Sequence, residues 1–308
     1  MSRVGSPYLE RRDRYERAME GWVDNTHADD FTLTARIRDD DLGAEVAAVA
    51  TPSPGYEIRE ARARVFSGAA DPRIVAGFGA LAGARMVGGF TRRLAELTGG
   101  RPGGQHFIDA AIEIARLARQ ATKLPPERAR TAAGGDARAC WQLDTTGWVD
   151  LPDSCFTYSD AGRALLATRA VTTSMVPALY CPPPGARVFS RKKVARLERR
   201  GRRLSLYHSM FDEAHGFEIR YEIDLDSGTI VHAESETPRL PYMGICNEPQ
   251  KKIAALVGQP VDRELRKRMQ GLIGGSAGCA QLYDLTADLL KLLSFDCAGG
   301  EDQGEEGR

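Results

Sequence analysis

The feature that most constrains this chain is a register shared by its two halves. Gly99-Gly100-Arg101-Pro102-Gly103-Gly104-Gln105-His106 aligns with Gly274-Gly275-Ser276-Ala277-Gly278-Cys279-Ala280-Gln281, an offset of 175 residues from His106 to Gln281. The same offset pairs Leu81 with Leu256, Gly83 with Gly258, Arg93 with Arg268, Leu97 with Leu272 and Asp109 with Asp284. One register running through two helical segments and the glycine turn between them is the mark of a repeated unit. It predicts two diverged copies of one module.

Hydrophobic periodicity gives the module its class. In the first copy Phe31–Ile37 alternates apolar and polar residues, and Glu45–Val49 and Ile58–Phe66 follow as further strands. In the second copy Leu204–Tyr207, Phe217–Ile223 and Thr229–Thr237 do the same, with Asp226-Ser227-Gly228 as hairpin-turn chemistry. Each copy then turns helical. Val261, Leu265, Met269 and Leu272 make one stripe, and Leu282, Leu285, Leu289 and Leu292 another, in the three-and-four steps of an amphipathic helix. Phe90, Leu94 and Leu97, then Ile108, Ile112 and Ala115, repeat the pattern in the first copy. Strands followed by helices make an α+β protein. The expected unit is an antiparallel three-stranded meander with helices packed on one face, the two units forming an internal pseudo-dimer. The first copy spans 1–123, an ordered extension with a proline-rich connection 124–185, the second copy 186–295, and a disordered acidic tail 296–308. The extension is expected to pack on the first copy.

Composition narrows the function. Forty-two basic residues balance 42 acidic ones, so no global field draws nucleic acid or an anionic membrane. The N-terminal segment has no secretory pattern, and no apolar run approaches the roughly 18 residues of a membrane helix. Six cysteines without CxxC spacing read as free thiols of a cytoplasmic protein. The basic run Arg187–Arg203 reads either as a holder of an anionic ligand or as a solvated strand edge kept from pairing by its charge.

Several residues carry chemistry by position. Cys279 stands where a glycine-rich turn enters a helix, and the unpaired amides there are expected to lower its thiol pKa. Cys246 follows the last strand on a loop. His106 holds the equivalent helix start in the first copy, where a neutral imidazole free to coordinate or accept a proton is favoured. His27 with Asp29 and Asp30, and His215 with Asp212 and Glu213, form two similar clusters ahead of strands, readable as metal ligands or as solvated turns. Gly274–Gly278 fits GxSxG, but a helix rather than a strand precedes it, which discounts a nucleophile elbow.

At Pro241-Tyr242-Met243-Gly244-Ile245-Cys246, Leu256-Val257-Gly258 and Gly278-Cys279-Ala280-Gln281-Leu282, the chain resembles the bacterial domain-of-unknown-function family 2889. Leu81-Ala82-Gly83 and Gly103-Gly104-Gln105-His106-Phe107 offer weaker counterparts, and Cys140 in Ala139-Cys140-Trp141 matches a cysteine that family members carry after the last helix. The resemblance implies three strands, a proline–cysteine loop and a "GCTHL"-type turn opening the last helix, and brings no established activity. Gln281 replaces the histidine of that turn in the second copy, and Gly104 its cysteine in the first. A layout similar to NifU/IscU scaffolds places His215, Cys246 and Cys279 as a metal set, with a transition metal as the cofactor.

Three functions are therefore open. The first is a small-molecule protein, an enzyme or enzyme-like accessory of bacterial catabolism using acid–base or thiol chemistry, with Cys279, Cys246, His106 and Cys140 as catalytic candidates. The second is a metal or iron–sulfur scaffold. The third is a pseudo-dimeric interaction module without chemistry.

Overall fold

The computed structural model describes residues 3–296. Eight strands form one antiparallel sheet: β1 (Arg14–Asn25), β2 (Phe31–Arg38), β3 (Leu42–Ala50), β4 (Ile58–Gly68), β5 (Gly185–Arg200), β6 (Arg203–Asp212), β7 (Gly216–Asp224) and β8 (Thr229–Arg239). The spatial order is β8-β7-β6-β5-β1-β2-β3-β4. The main helices are α1 (Phe90–Thr98), α2 (Gly104–Leu117), α3 (Ala137–Gly147), α4 (Asp160–Thr168), α5 (Leu265–Leu272) and α6 (Ala280–Leu290). The tail read as disordered lies, from residue 297 on, outside the described residues, as does Cys297.

The sheet is mixed with helices as an α+β protein should be, but each half contributes four strands to it and not three. The two additional ones, β1 and β5, are the central pair, bonded antiparallel from Arg14 opposite Glu198 to Val23 opposite Phe189. Side chains alternate between faces along a strand. On β5, Phe189, Arg191, Lys193, Ala195 and Leu197 are buried against the helix layer, while Lys192, Arg196 and Arg200 point the other way or outward. The basic run is thus neither an edge nor a free anion site. Arg191 and Lys193 are buried in ion pairs with Asp212 and Glu113, Arg196 pairs with Glu16, and Arg199 with Asp13.

Two apolar clusters fill the space between sheet and helices. One lies under β2–β4 with Phe78, Leu94, Phe107 and Ile114; the other lies under β6–β8 with Leu256, Met269, Leu282 and Leu285. The extension joins the second cluster through Ala137, Cys140, Leu143, Trp148, Leu166 and Tyr180. This corrects the expected packing on the first half. The reason is local: α3 presents Cys140, Leu143 and Asp144 on one side, and the aromatic residues that meet it there include Tyr242 of the second half.

Local geometry repeats between the halves. Asp39 closes the β2–β3 turn by accepting from the N–H groups of Asp41 and Leu42, at 3.0 and 2.9 Å. Asp212 closes the β6–β7 turn by accepting from Ala214 and His215, at 2.9 and 2.6 Å. Ile58 donates to Ala84 and accepts from Gly83; Ile230 donates to Gln259 and accepts from Gly258. The β3–β4 and β7–β8 ladders each contain two register shifts. Arg116 on α2 meets Asp284 on α6 at 2.9 Å, and Lys291 just beyond α6 meets Asp109 on α2 at 3.0 Å.

Candidate functional site

A cavity of about 130 Å³ opens between the second half and the extension. Its wall takes Asp144 and Trp148 from α3 and the residue after it, Cys155, Thr157 and Tyr158 from the following turn, and His215 and Phe217 from the start of β7. Cys246, Gly278 and Cys279 close it from the loop after β8 and the entry to α6. Phe217, Leu240, Leu179 and Met175 make much of the remaining lining apolar.

The β6–β7 turn fixes His215. Asp212 takes two turn amides on Oδ1, and the same oxygen lies 3.0 Å from His215 Nδ1. Asp212 is fully buried and is also gripped by Arg191, whose Nη2 is 2.7 Å from Oδ2. Burial pushes the Asp212 carboxyl up, but His215 and Arg191 outweigh it and hold it well below the usual carboxylate range. An ionised Asp212 accepts the Nδ1–H, so in the neutral form of the imidazole Nε2 is the lone-pair nitrogen. His215 is only 9% exposed, so the solvated-turn reading of this residue is corrected. Nor does it match His27, which is exposed before β2 and bonds Thr32; in the first half the carboxylate that takes two turn amides as Asp212 does is Asp39.

A second polar group shares the wall. Asp144, 0% exposed, has no cation against it among the described residues and accepts hydrogen bonds from three phenols: Tyr158 and Tyr180 at 2.7 Å each, and Tyr242. Burial pushes its carboxyl up, only partly offset by the tyrosines Tyr242, Tyr180 and Tyr158, to about 6. Sequence reasoning missed this cluster. Tyr158, Tyr180 and Tyr242 stand far apart in the chain and share no motif; the one signal was the density of aromatic residues in the extension.

The thiols are brought together but not activated. Cys246, Cys155 and Cys279 all line the cavity, with Cys246 Sγ 2.9 Å from Thr157 Oγ1. Cys279 is the N-cap of α6 and its sulfur accepts from the N–H of Leu282 at 3.5 Å. Gly278 makes that geometry possible: a Cβ there would lie 2.1 Å from the Ile273 carbonyl oxygen. Burial nevertheless raises the Cys279 thiol, outweighing the helix amides, and raises Cys246 as well; Cys155 is pushed up to about 11. The direction at Cys279 is thus opposite to the expected lowering, because a desolvated thiolate loses more from leaving water than one helix terminus returns.

The remaining candidates fall elsewhere. His106 is buried in the first half with Nε2 2.7 Å from Asp39 Oδ2, beside Tyr15 and Arg17. Cys140 is fully buried in the second cluster, its thiol pushed up by burial to about 11. No hydrogen bond joins the two among the described residues. His215, Cys246 and Cys279 reach one cavity, yet among the described residues no three His, Cys, Asp or Glu side chains converge as metal ligands. Among these residues no helix is long and apolar enough to cross a membrane.

Residues 201–293 match the model of a family described as a protein of unknown function, DUF2889. That stretch runs from the β5–β6 turn to the end of α6, and it includes His215, Cys246 and Cys279 but not Asp144 or the first half. No curated protein and no solved structure matches the chain, so the likeness to NifU/IscU scaffolds is without support.

Proposed function

We propose that this protein is a small-molecule enzyme of non-redox acid–base type, with its site in the cavity between the second half and the extension. The observation that carries this reading is the Arg191–Asp212–His215 chain, which holds one imidazole in the cavity wall with its Nδ1 engaged. Orientation of a base by a buried carboxylate is the arrangement that general-base catalysis uses. Acid–base chemistry is favoured over thiol chemistry because all three thiols of the wall are raised by burial, which keeps them protonated. A volume near 130 Å³ suits a ring-sized ligand, since a cavity of roughly 150 Å³ accepts benzene.

The two halves are, in this reading, diverged copies of one module, now an internal pseudo-dimer. Support comes from the sequence register, the matched Asp39 and Asp212 turns, and the reciprocal pairs Arg116–Asp284 and Lys291–Asp109. An isologous contact has that reciprocity. The second copy keeps the cavity; in the first, Asp39 is taken up by Tyr15 and His106. Five described cysteines are unbridged, which suits a reducing compartment such as the cytoplasm.

The test is binding of ring-sized fragments to the full chain, read by ligand-observed NMR, with Met175→Trp as the variant that fills the cavity. Binding lost in that folded variant supports the site. Fragments that bind both proteins equally place the ligand elsewhere.

A further inference from the structure

The cavity carries two proton-handling groups from different parts of the chain. His215 comes from the β6–β7 turn, with Asp212 on its Nδ1. Asp144 and Tyr158 come from the extension, joined by a 2.7 Å hydrogen bond. Tyr180 and Tyr242 hold Asp144 from outside the cavity wall and leave Tyr158 as the phenol that lines it. Among the described lining residues Arg119 is the one guanidinium, and it is engaged by Asp150 and by the carbonyls of Ala115 and Met86. The wall thus offers an imidazole held by a carboxylate and a phenol backed by a carboxyl, in a mostly apolar space, and no cation free to take an anionic ligand.

Resting on the acid–base reading above, we propose that the substrate is a small uncharged carbonyl compound and that the reaction begins by enolisation. His215 Nε2 takes the proton from the carbon next to the carbonyl. The C–H bonding pair becomes the C=C bond, and the carbonyl π pair moves to oxygen. That oxygen receives a hydrogen bond or proton from Tyr158 when Asp144 is protonated and donates to the phenol oxygen in turn, because the ionised carboxylate takes the Tyr158 O–H for itself. Return of a proton from the imidazolium to carbon, as the C=O re-forms and any proton on the oxygen goes back to the Tyr158–Asp144 pair, closes the cycle without any other reactant. Asp212 and Arg191 are positioning residues in this scheme, as are Tyr180 and Tyr242. Opposed environments that leave one group a base and the other an acid are how one site runs both halves of such a step. A carboxyl near 6 supplies both of its forms close to neutrality.

Cyclohexanone in D2O is the probe. The full-length protein is expected to exchange its α-hydrogens for deuterium faster than buffer alone, and His215→Gln to reduce that rate by about 10²–10⁴-fold, the usual range for a general base. Tyr158→Phe is expected to lower the rate while leaving cyclohexanone binding within a few-fold. Met175→Trp, which leaves the dyad untouched, is expected to abolish both binding and exchange. Cyclohexanone that binds the cavity without exchange overturns the enolisation proposal and leaves the small-molecule site standing. Absence of any binding overturns both. Exchange that survives in a folded His215→Gln protein removes His215 as the base.

Discussion

Arg191 and Asp212 meet at 2.7 Å with side chains 1% and 0% exposed, so the central strand β5 holds the residue that fixes Asp212, and Asp212 in turn orients His215. Glu113 of α2 lies against the same guanidinium at 3.3 Å and against Lys193. The site in the second half is therefore built on a charge network that begins in the first.

Removing one member of that network should be costly. Glu113→Ala leaves Lys193 buried without its close carboxylate and Arg191 with Asp212 alone, and breaking a buried pair from one side typically costs about 3–5 kcal/mol. Urea unfolding of the variant should show a loss in that range. A loss below about 1 kcal/mol, the value of an exposed pair, would show that the network is wetter than its burial indicates.

The same carboxylate gives a pH signature. Burial pushes Glu113 up, but Lys193, Arg191 and Arg116 outweigh it and set it at about 2. A depressed carboxyl contributes stability that is present above its unfolded pKa and lost as pH falls through the folded one. Asp144 acts in the opposite sense. Its folded value of about 6 exceeds the unfolded one, so its contribution is full below about 4 and lost as pH rises through 6. The stability of wild type relative to Asp144→Asn should fall by up to about 3 kcal/mol between pH 4 and pH 7. An unchanged difference across that window would mean Asp144 is ionised throughout.

The cavity thiols should be sluggish. With Cys155 at about 11, its thiolate fraction at pH 8 is roughly two orders of magnitude below that of a free cysteine. Peptide mapping after iodoacetamide treatment should show Cys155, Cys246 and Cys279 modified late. Early labelling of Cys279 would restore the activated-thiol reading.

The halves should not survive apart. β1 pairs with β5, and the extension packs its aromatic residues on the second half, so residues 1–185 carry Asp144 and Tyr158 without Tyr242. Expression of 1–185 and 186–308 separately should give unfolded or aggregated chains, with folding recovered on co-expression. Two soluble, cooperative, independent domains would contradict the single sheet.

How much of this was legible in the sequence follows from where its residues put their polarity. The strands β2–β4 and β6–β8 and the helices carrying Leu94, Ile108, Met269 and Leu285 show ordinary periodicity, so alternation and three-and-four steps found them. β1 and β5 did not show it, because their helix-facing positions hold Arg17, Arg191 and Lys193 in place of apolar residues. His215, Cys246 and Cys279 were named from position and do share a cavity. Asp144 and its three tyrosines could not be named, since only the packing of the extension on the second half brings them together. At Cys279 the helix terminus is visible in sequence, while the burial that pushes its thiol up is not.

The most direct test of the site is the ring nitrogen spectrum of the protein's five histidines, followed during titration with cyclohexanone. His27 and His232 are exposed, His106 is bound to Asp39, and His208 Nδ1 is bound to the Leu285 carbonyl. The account predicts that Nε2 of His215, assigned through His215→Gln, moves with saturation while the other four stay in place. A titration in which His215 stays fixed, whether or not another histidine moves, would contradict it.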